Sequence, residues 1–300
     1  MNAQPARPCL IFNPMAQGGK ASRFRSHPDL PRGQIVLLAT AAAGDARRLA
    51  AKAVRDGFRT IIAAGGDGTV NEVLNGICDV PDGLKVARLG LLPLGTVNVF
   101  ARELRFPLRT GPAWKVLAAG RERTIDLGVA DFQLNGAPCR RYFVQLAGAG
   151  LDSRAIELTE WEIKKKFGPL AYVYAGLKAL REVKPVITVQ AGRTLAGEWV
   201  AVGNGRYYGA PLAVFPKARL DDGLLDICVL PKTGFGTFFG ALAGLPLGQI
   251  HRFCGAQQHA AATFTLTASS RAVLQLDGEN VGELPAALSL QPKALRVIVP

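Results

Sequence analysis

Ala63-Ala64-Gly65-Gly66-Asp67-Gly68-Thr69-Val70-Asn71-Glu72-Val73, "AAGGDGTVNEV", sets glycines around one carboxylate, between an apolar run and a stretch with helical spacing. A strand that turns there into a helix gathers backbone N–H groups and the positive end of a helix dipole at one point. That arrangement favours an anion. Glycine accepts positive φ and lets a phosphate approach with no Cβ in the way. Thr69 can cap the helix and offer a hydroxyl, while Asp67 can hold a metal or a ligand hydroxyl. The same residues also read as a plain βα turn with Asp67 and Thr69 as caps, and the stretch alone does not separate the two.

Working outward, "CLIF" at 9–12 is a short apolar strand ending at Asn13-Pro14, and "GQIVLLAT" at 33–40 is a second. Ala46, Leu49, Ala50, Ala53 and Val54 then recur at helical spacing, with Gly57 as a stop. "RTIIAA" at 59–64 leads into the glycine loop and its helix; "RLGLLPLGT" at 88–96 is a fourth strand and turn, followed by "VNVFAREL" as a helix. Alternating strands and helices predict an α/β domain with a parallel sheet, residues 1–121. Beyond Arg121 the pattern changes. "RERTIDLGVADF", the turn "LNGAP" and "RRYFVQLAGAG" read as a β-hairpin, and one helical stretch covers roughly 153–182. "PVITVQAG", "GEWVAVGNG", "GLLDICVL", "ATFTLTA", "RAVLQLDGE" and "ALRVIVP" are short strands between turns, so residues 122–300 are expected to form an antiparallel β-sandwich.

Composition is globular: 49% hydrophobic and 20% charged over 300 residues, with a formal net charge of +13. Such an excess attracts anions, whether nucleic acid, an acidic membrane or phosphorylated ligands. Five scattered cysteines without a C-x-x-C pair, and three histidines, argue against a disulfide scaffold or a zinc site and for a reducing cytosol. The start, "MNAQPARPCLIFNP", lacks a signal-peptide core. The longest apolar region, "FGTFFGALAGLPLG" at 235–248, is interrupted by glycine and proline and falls short of a bilayer span. A cytoplasmic protein with peripheral membrane contact is the expectation. "MAQGGKAS" is no P-loop, since Ala21 stands where Ser or Thr must follow the lysine, and no G-x-G-x-x-G follows the first strand.

Asn13-Pro14, Thr40 with Gly44-Asp45-Ala46, "GGDGTVNEV" and "LPLGTVNVFAREL" follow one another in the first half; "GAGLDSRAIE", "NGRYYGAPLAVFPKARLDDGLLDI" and "LDGE" follow in the second. Together they resemble the diacylglycerol kinase catalytic family of lipid kinases, particularly its soluble bacterial branch, over about residues 9 to 298. The resemblance implies a nucleotide-binding α/β domain, a β-sandwich and an active site in the cleft between them. ATP phosphates would lie over Gly65, Gly66, Asp67, Gly68 and Thr69, with Asn13, Pro14, Thr40, Asn71, Glu72, Thr96 and Asn98 contributing. It also implies a Mg²⁺ site in "ARLDDGLLDI", formed by Asp222 and the carbonyls of Arg219 and Leu224; oxygen ligands suit that hard cation. Glu279 would be the catalytic base, assisted by Asp277; two apart in extended backbone, they are expected to point the same way.

Two departures stand out. Val99 occupies a position where the family more often has an acid, and the chain stops at Val299-Pro300, short of the final segment with which relatives often return to their first domain. The implied reaction is transfer of the ATP γ-phosphate to a hydroxyl of a diacylglycerol-like lipid. Kinases of sphingoid bases or phosphatidylglycerol, a NAD kinase, and a non-catalytic lipid- or nucleotide-binding regulator are the alternatives. The stretch 161–180 sets Trp161, Phe167, Leu170, Tyr172, Tyr174 and Leu177 beside Lys164, Lys165 and Lys166, which suits either an interfacial contact with anionic lipid or a core helix with a solvated turn. Nucleic-acid binding lacks a recognisable module, and a homodimer is compatible with the sequence.

Overall fold

Apolar runs without alternation make strands that need cover on both faces, and four of these build the first half of the chain. The computed structural model describes residues 7–16, 33–158, 178–180, 182, 184–209, 213–244 and 248–300. The interfacial stretch from Trp161 to Leu177 lies outside them. The chain divides into two compact units, one running to Asp126 and resuming at Pro292–Pro300, the other Leu127–Gln291.

In the first unit, β1 (Cys9–Phe12), β2 (Val36–Ala39), β3 (Thr60–Gly65) and β4 (Arg88–Pro93) run parallel. Their order is β4-β3-β1-β2. Every residue of β1 is buried, as are all but the first of β3 and β4. Helices α1 (Asp45–Arg55), α2 (Asp67–Cys78), α3 (Gly83–Val86), α4 (Val99–Glu103) and α5 (Thr110–Ala119) fill the connections. The pair α1 and α2 packs closely enough that a Cβ on Gly76 would sit 2.1 Å from the Arg47 carbonyl oxygen.

The second unit is antiparallel. Strands β5 (Glu122–Leu134) and β6 (Ala137–Phe143) form the expected hairpin. Asn135 and Gly136, at φ 52° and 77°, are its two-residue turn. Strand β7 (Leu146–Gly150), helix α6 (Leu151–Leu158) and strands β8 (Ile187–Gln190), β9 (Thr194–Gly197), β10 (Trp199–Gly203) and β11 (Leu225–Leu230) follow. Next come helices α7 (Phe235–Gly244) and α8 (Ile250–Cys254), then β12 (Gln257–Ala261), β13 (Thr263–Ala268), β14 (Val273–Leu276) and β15 (Glu279–Ile298). One row of paired strands is β12-β11-β10-β7-β14-β15; β9, β8 and β13 make a second row ending on the same β15. Phe132, Phe143, Val200, Ile227, Phe264, Leu274 and Leu288, drawn from both rows and from the β5–β6 hairpin, share one core. This is the β-sandwich the strand spacing predicts.

One expectation is corrected. The final segment is present: Val297, near the end of β15, pairs in parallel with Leu89 of β4, and the Val299 N–H bonds the Arg121 carbonyl at 2.9 Å. All five cysteines are free thiols, and burial pushes those of Cys9, Cys78 and Cys228 up to about 12, which disfavours their thiolate forms. Among the described residues, no helix is long and apolar enough to cross a membrane.

Candidate active site

The parallel strands of the first unit bring their C-terminal ends to one sheet edge, and hydrogen bonds hold the loops in step beyond them. The Asn13 N–H bonds the Ala64 carbonyl at 3.0 Å, the Thr40 N–H bonds Phe12 at 2.9 Å, and the Leu94 N–H bonds Gly65 at 2.9 Å. Since β2 lies on one side of β1 and β3 on the other, the winding reverses between β1 and β3. Open α/β sheets bind ligands at that switch point. Asn13-Pro14 and Gly65-Gly66 are the two loops that leave it.

There the backbone is bare. A Cβ on Gly95 would lie 2.4 Å from the Gly66 Cα, so the two turns touch main chain to main chain. Asn98, at φ 52°, holds its own turn closed: Oδ1 accepts the Gly95 N–H at 3.0 Å and Nδ2 donates to the Gly95 carbonyl at 2.7 Å. Helix α2 starts at Asp67 from Gly66 without a side-chain cap; the Asp67 N–H bonds its own carboxylate, and the N–H groups that follow it in the first turn lie at the sheet edge. Thr69 is therefore not the cap. It is buried in the first turn, and its hydroxyl receives Asn13 Nδ2 at 3.3 Å. An uncapped helix and a backbone open to close approach fit nucleotide phosphates.

The Asp67 carboxylate bonds its own N–H and also reaches the next helix. Its Oδ1 accepts the Phe100 N–H at 3.2 Å, and the Val99 and Asn98 N–H groups also bond the carboxylate. The acid thus caps α4, where Val99 is buried in place of the family's usual acid. Burial raises the Asp67 pKa above the usual carboxylate range, against the lowering effect of those N–H groups. Glu72 likewise serves the scaffold: Oε1 accepts the Gly44 N–H at 2.9 Å and Oε2 the Ala46 N–H at 3.0 Å, which caps α1. Asn71 is buried and bonded to Asn75 Nδ2 at 3.1 Å. Thr96 is exposed, and Pro14, Thr40 and Gly68 are half-buried.

In the second unit, Asp277 and Gly278 take φ 49° and 86° and close β14 onto β15, setting Leu276 opposite Glu279. The extended backbone expected from Asp277 to Glu279 is absent, and the two carboxylates part. Asp277 is buried, with Oδ2 accepting the Val144 N–H at 3.0 Å and Oδ1 accepting Gln145 at 2.9 Å and Leu146 at 3.0 Å. Glu279 is exposed. Gln275, which sequence reasoning missed, secures the same turn: Oε1 accepts the Gly278 N–H at 2.9 Å and Nε2 donates to the Tyr208 hydroxyl at 2.9 Å. Asn204 Nδ2 donates to the Val144 carbonyl at 2.9 Å and Gln145 Nε2 to Tyr207 at 3.0 Å. The available signal was a glutamine buried between leucines in "LQL" and after valine in "VQL".

Asp222 sits exposed on the Asp-Asp-Gly turn, where its Oδ1 accepts the Leu224 N–H at 3.1 Å. Gly223 takes φ 78° there, and Arg219 reaches Asp221 at 3.4 Å. Asp226 is pushed up to about 6, by burial first and then by the Asp222 charge. Two neighbouring acids, Asp222 and Asp226, at a turn of oxygen donors fit a hard cation. Among the described residues, no three or more His, Cys, Asp or Glu side chains cluster as metal ligands.

Residues 7–130 match the Diacylglycerol kinase catalytic domain, and residues 145–299 the YegS C-terminal NAD kinase beta sandwich-like domain. A "Probable lipid kinase YegS-like" of Pseudomonas aeruginosa (strain UCBPP-PA14) is 36% identical over 267 residues, covering 86% of this chain and 82% of that one. A "Diacylglycerol kinase" of Staphylococcus aureus (strain bovine RF122 / ET3-1) is 30% identical over 287 residues, covering 92% and 87%. The crystal structure of a diacylglycerol kinase from Bacillus anthracis str. Sterne superposes with a TM-score of 0.77 at 25% identity, covering 98% and 97% of the two chains. With both halves matched in order and a relative this similar across most of its length, the chain belongs to the YegS-like lipid kinase family.

Proposed function

We propose that the protein is an ATP-dependent lipid kinase that phosphorylates a hydroxyl of a diacylglycerol-like lipid. The observation that carries this reading is the glycine cradle at the switch point, where Gly66 and Gly95 meet backbone to backbone beneath the uncapped start of α2. ATP, when bound, supplies the phosphoryl group. The Gly65–Thr69 backbone would hold its phosphates, with Asn13, Thr40 and Thr96 at the neighbouring strand ends. Asp222 and the carbonyls of Arg219 and Leu224 would hold Mg²⁺. Glu279 takes the proton from the acceptor hydroxyl as its oxygen attacks phosphorus, since a neutral hydroxyl is a weak nucleophile. Asp277 fixes the turn that presents Glu279. On this reading the enzyme meets its acceptor at a membrane surface without spanning it.

A second reading, phosphorylation of NAD, is favoured by one finding, the NAD kinase-like description of the sandwich domain. Transfer of labelled γ-phosphate to a panel of diacylglycerol, phosphatidylglycerol, a sphingoid base and NAD tests both. Diacylglycerol is expected to be labelled; label on NAD alone, or on nothing, overturns the proposal. Asp222→Ala is expected to raise the Mg²⁺ concentration needed for half-maximal rate, and an unchanged Mg²⁺ dependence removes the metal from that loop.

A further inference from the structure

Helices α7 and α8 form an apolar pair whose outer face the phosphotransfer reading leaves unused. Their inner face is packed: Ile250 and Cys254 join Trp199, Phe215 and Leu230 in a buried cluster, and Cys254 Sγ donates to the Thr237 carbonyl at 3.2 Å. On the outer face, Phe235 and Phe239 are 50% and 63% exposed, and with exposed Ala243 they fall at i, i+4 spacing along one line. Phe253 of α8 is 45% exposed, and α7 meets it so closely that a Cβ on Gly244 would lie 3.0 Å from its ring. Lys232, three residues before Phe235, and Arg252, next to Phe253 in the chain, are exposed. No Asp or Glu occurs between Asp226 and Asp277. The nearby acid, Glu198, is half-buried and bonds the Thr233 N–H and hydroxyl at 2.6 and 2.8 Å, with Lys184 at 3.9 Å.

We infer that the α7–α8 face is the surface by which this protein docks on an anionic phospholipid bilayer. The inference rests on the lipid-kinase reading. Exposed phenylalanines on a segment that carries exposed cations and no acid match the boundary between headgroup and acyl chain. A second copy of the chain is the poorer occupant, because a two-fold contact through this face would set its cations against like charges without an acid to pair them.

Co-sedimentation of the full chain with phosphatidylcholine vesicles, with and without phosphatidylglycerol, tests the surface without ATP. Wild-type protein is expected to prefer vesicles that contain phosphatidylglycerol, and added salt to weaken that preference. Phe235→Ser with Phe239→Ser should lower the partition about a hundredfold, roughly tenfold per ring. Lys232→Glu with Arg252→Glu should abolish the preference for anionic vesicles; these side chains are exposed, so the pair keeps the test open if the phenylalanine variants lose the fold. Unchanged partition in folded variants overturns the inference, as does equal wild-type binding to both vesicle types. Loss of self-association with unchanged partition would assign the face to a dimer instead and overturns it equally. Phosphorylation of a short-chain diacylglycerol dispersed without a bilayer should survive both pairs of substitutions. Failure of the wild type there refutes the kinase reading and leaves the vesicle result standing.

Discussion

Two turns of the same residue types, Gly65–Thr69 in the first unit and Leu276–Glu279 in the second, use glycine and aspartate differently. In the first, the glycines leave main-chain N–H groups at a sheet edge, while the carboxylate is spent capping a neighbouring helix. In the second, three main-chain N–H groups are consumed by the Asp277 carboxylate, and a glutamate is left at the surface. On the proposed reading, one turn offers backbone donors to a ligand and the other offers an acid. In both, the aspartate inside the motif is tied into the scaffold by main-chain N–H groups.

The sharpest way to break this contrast is Asp277→Asn. An amide can accept on only one atom and would press its NH₂ against a main-chain donor, so we expect a loss of about 2–4 kcal/mol, read by chemical unfolding. An unchanged midpoint would mean that Asp277 is not structural. Gly95→Ala comes next. Its Cβ would sit 2.4 Å from the Gly66 Cα and must displace one turn, so ATP affinity should fall about tenfold to a hundredfold, consistent with overpacking costs of about 1–3 kcal/mol. Calorimetric titration checks it; wild-type affinity would place the phosphates elsewhere.

Asp67→Asn should have the smallest effect, and it depends on pH. Because the folded state raises this pKa, the folded protein binds the proton more tightly than the unfolded chain, and Asp67 costs stability as pH rises from the ordinary carboxylate range through its raised value. Melting of the ligand-free protein across that window should show a shallower decline in the variant. A steeper decline would reverse the sign assigned to burial.

Much of this was legible in the residues. The parallel sheet followed from buried runs such as "CLIF" and "RTIIAA" alternating with helical spacing, and the glycine loop from its composition. The carboxylate partners were not, because Asp277 meets N–H groups 131 to 133 positions away, and Glu72 caps a helix 26 to 28 positions upstream. Local pattern carries no record of such pairings. The last strand was misjudged for a related reason: β15 runs from Glu279 to Ile298 through Pro285 and Pro292, which read locally as turns, so its return to the first unit was hidden.

The central claim is that the first turn binds nucleotide and the second supplies the base. Glu279→Gln, assayed for ATP affinity by calorimetry and for labelled phosphate transfer to diacylglycerol in the same preparation, separates the two. The prediction is a rate lowered about 10²–10⁴-fold with ATP affinity within about twofold of wild type. Full transfer by the variant, or a parallel loss of ATP binding, would contradict it.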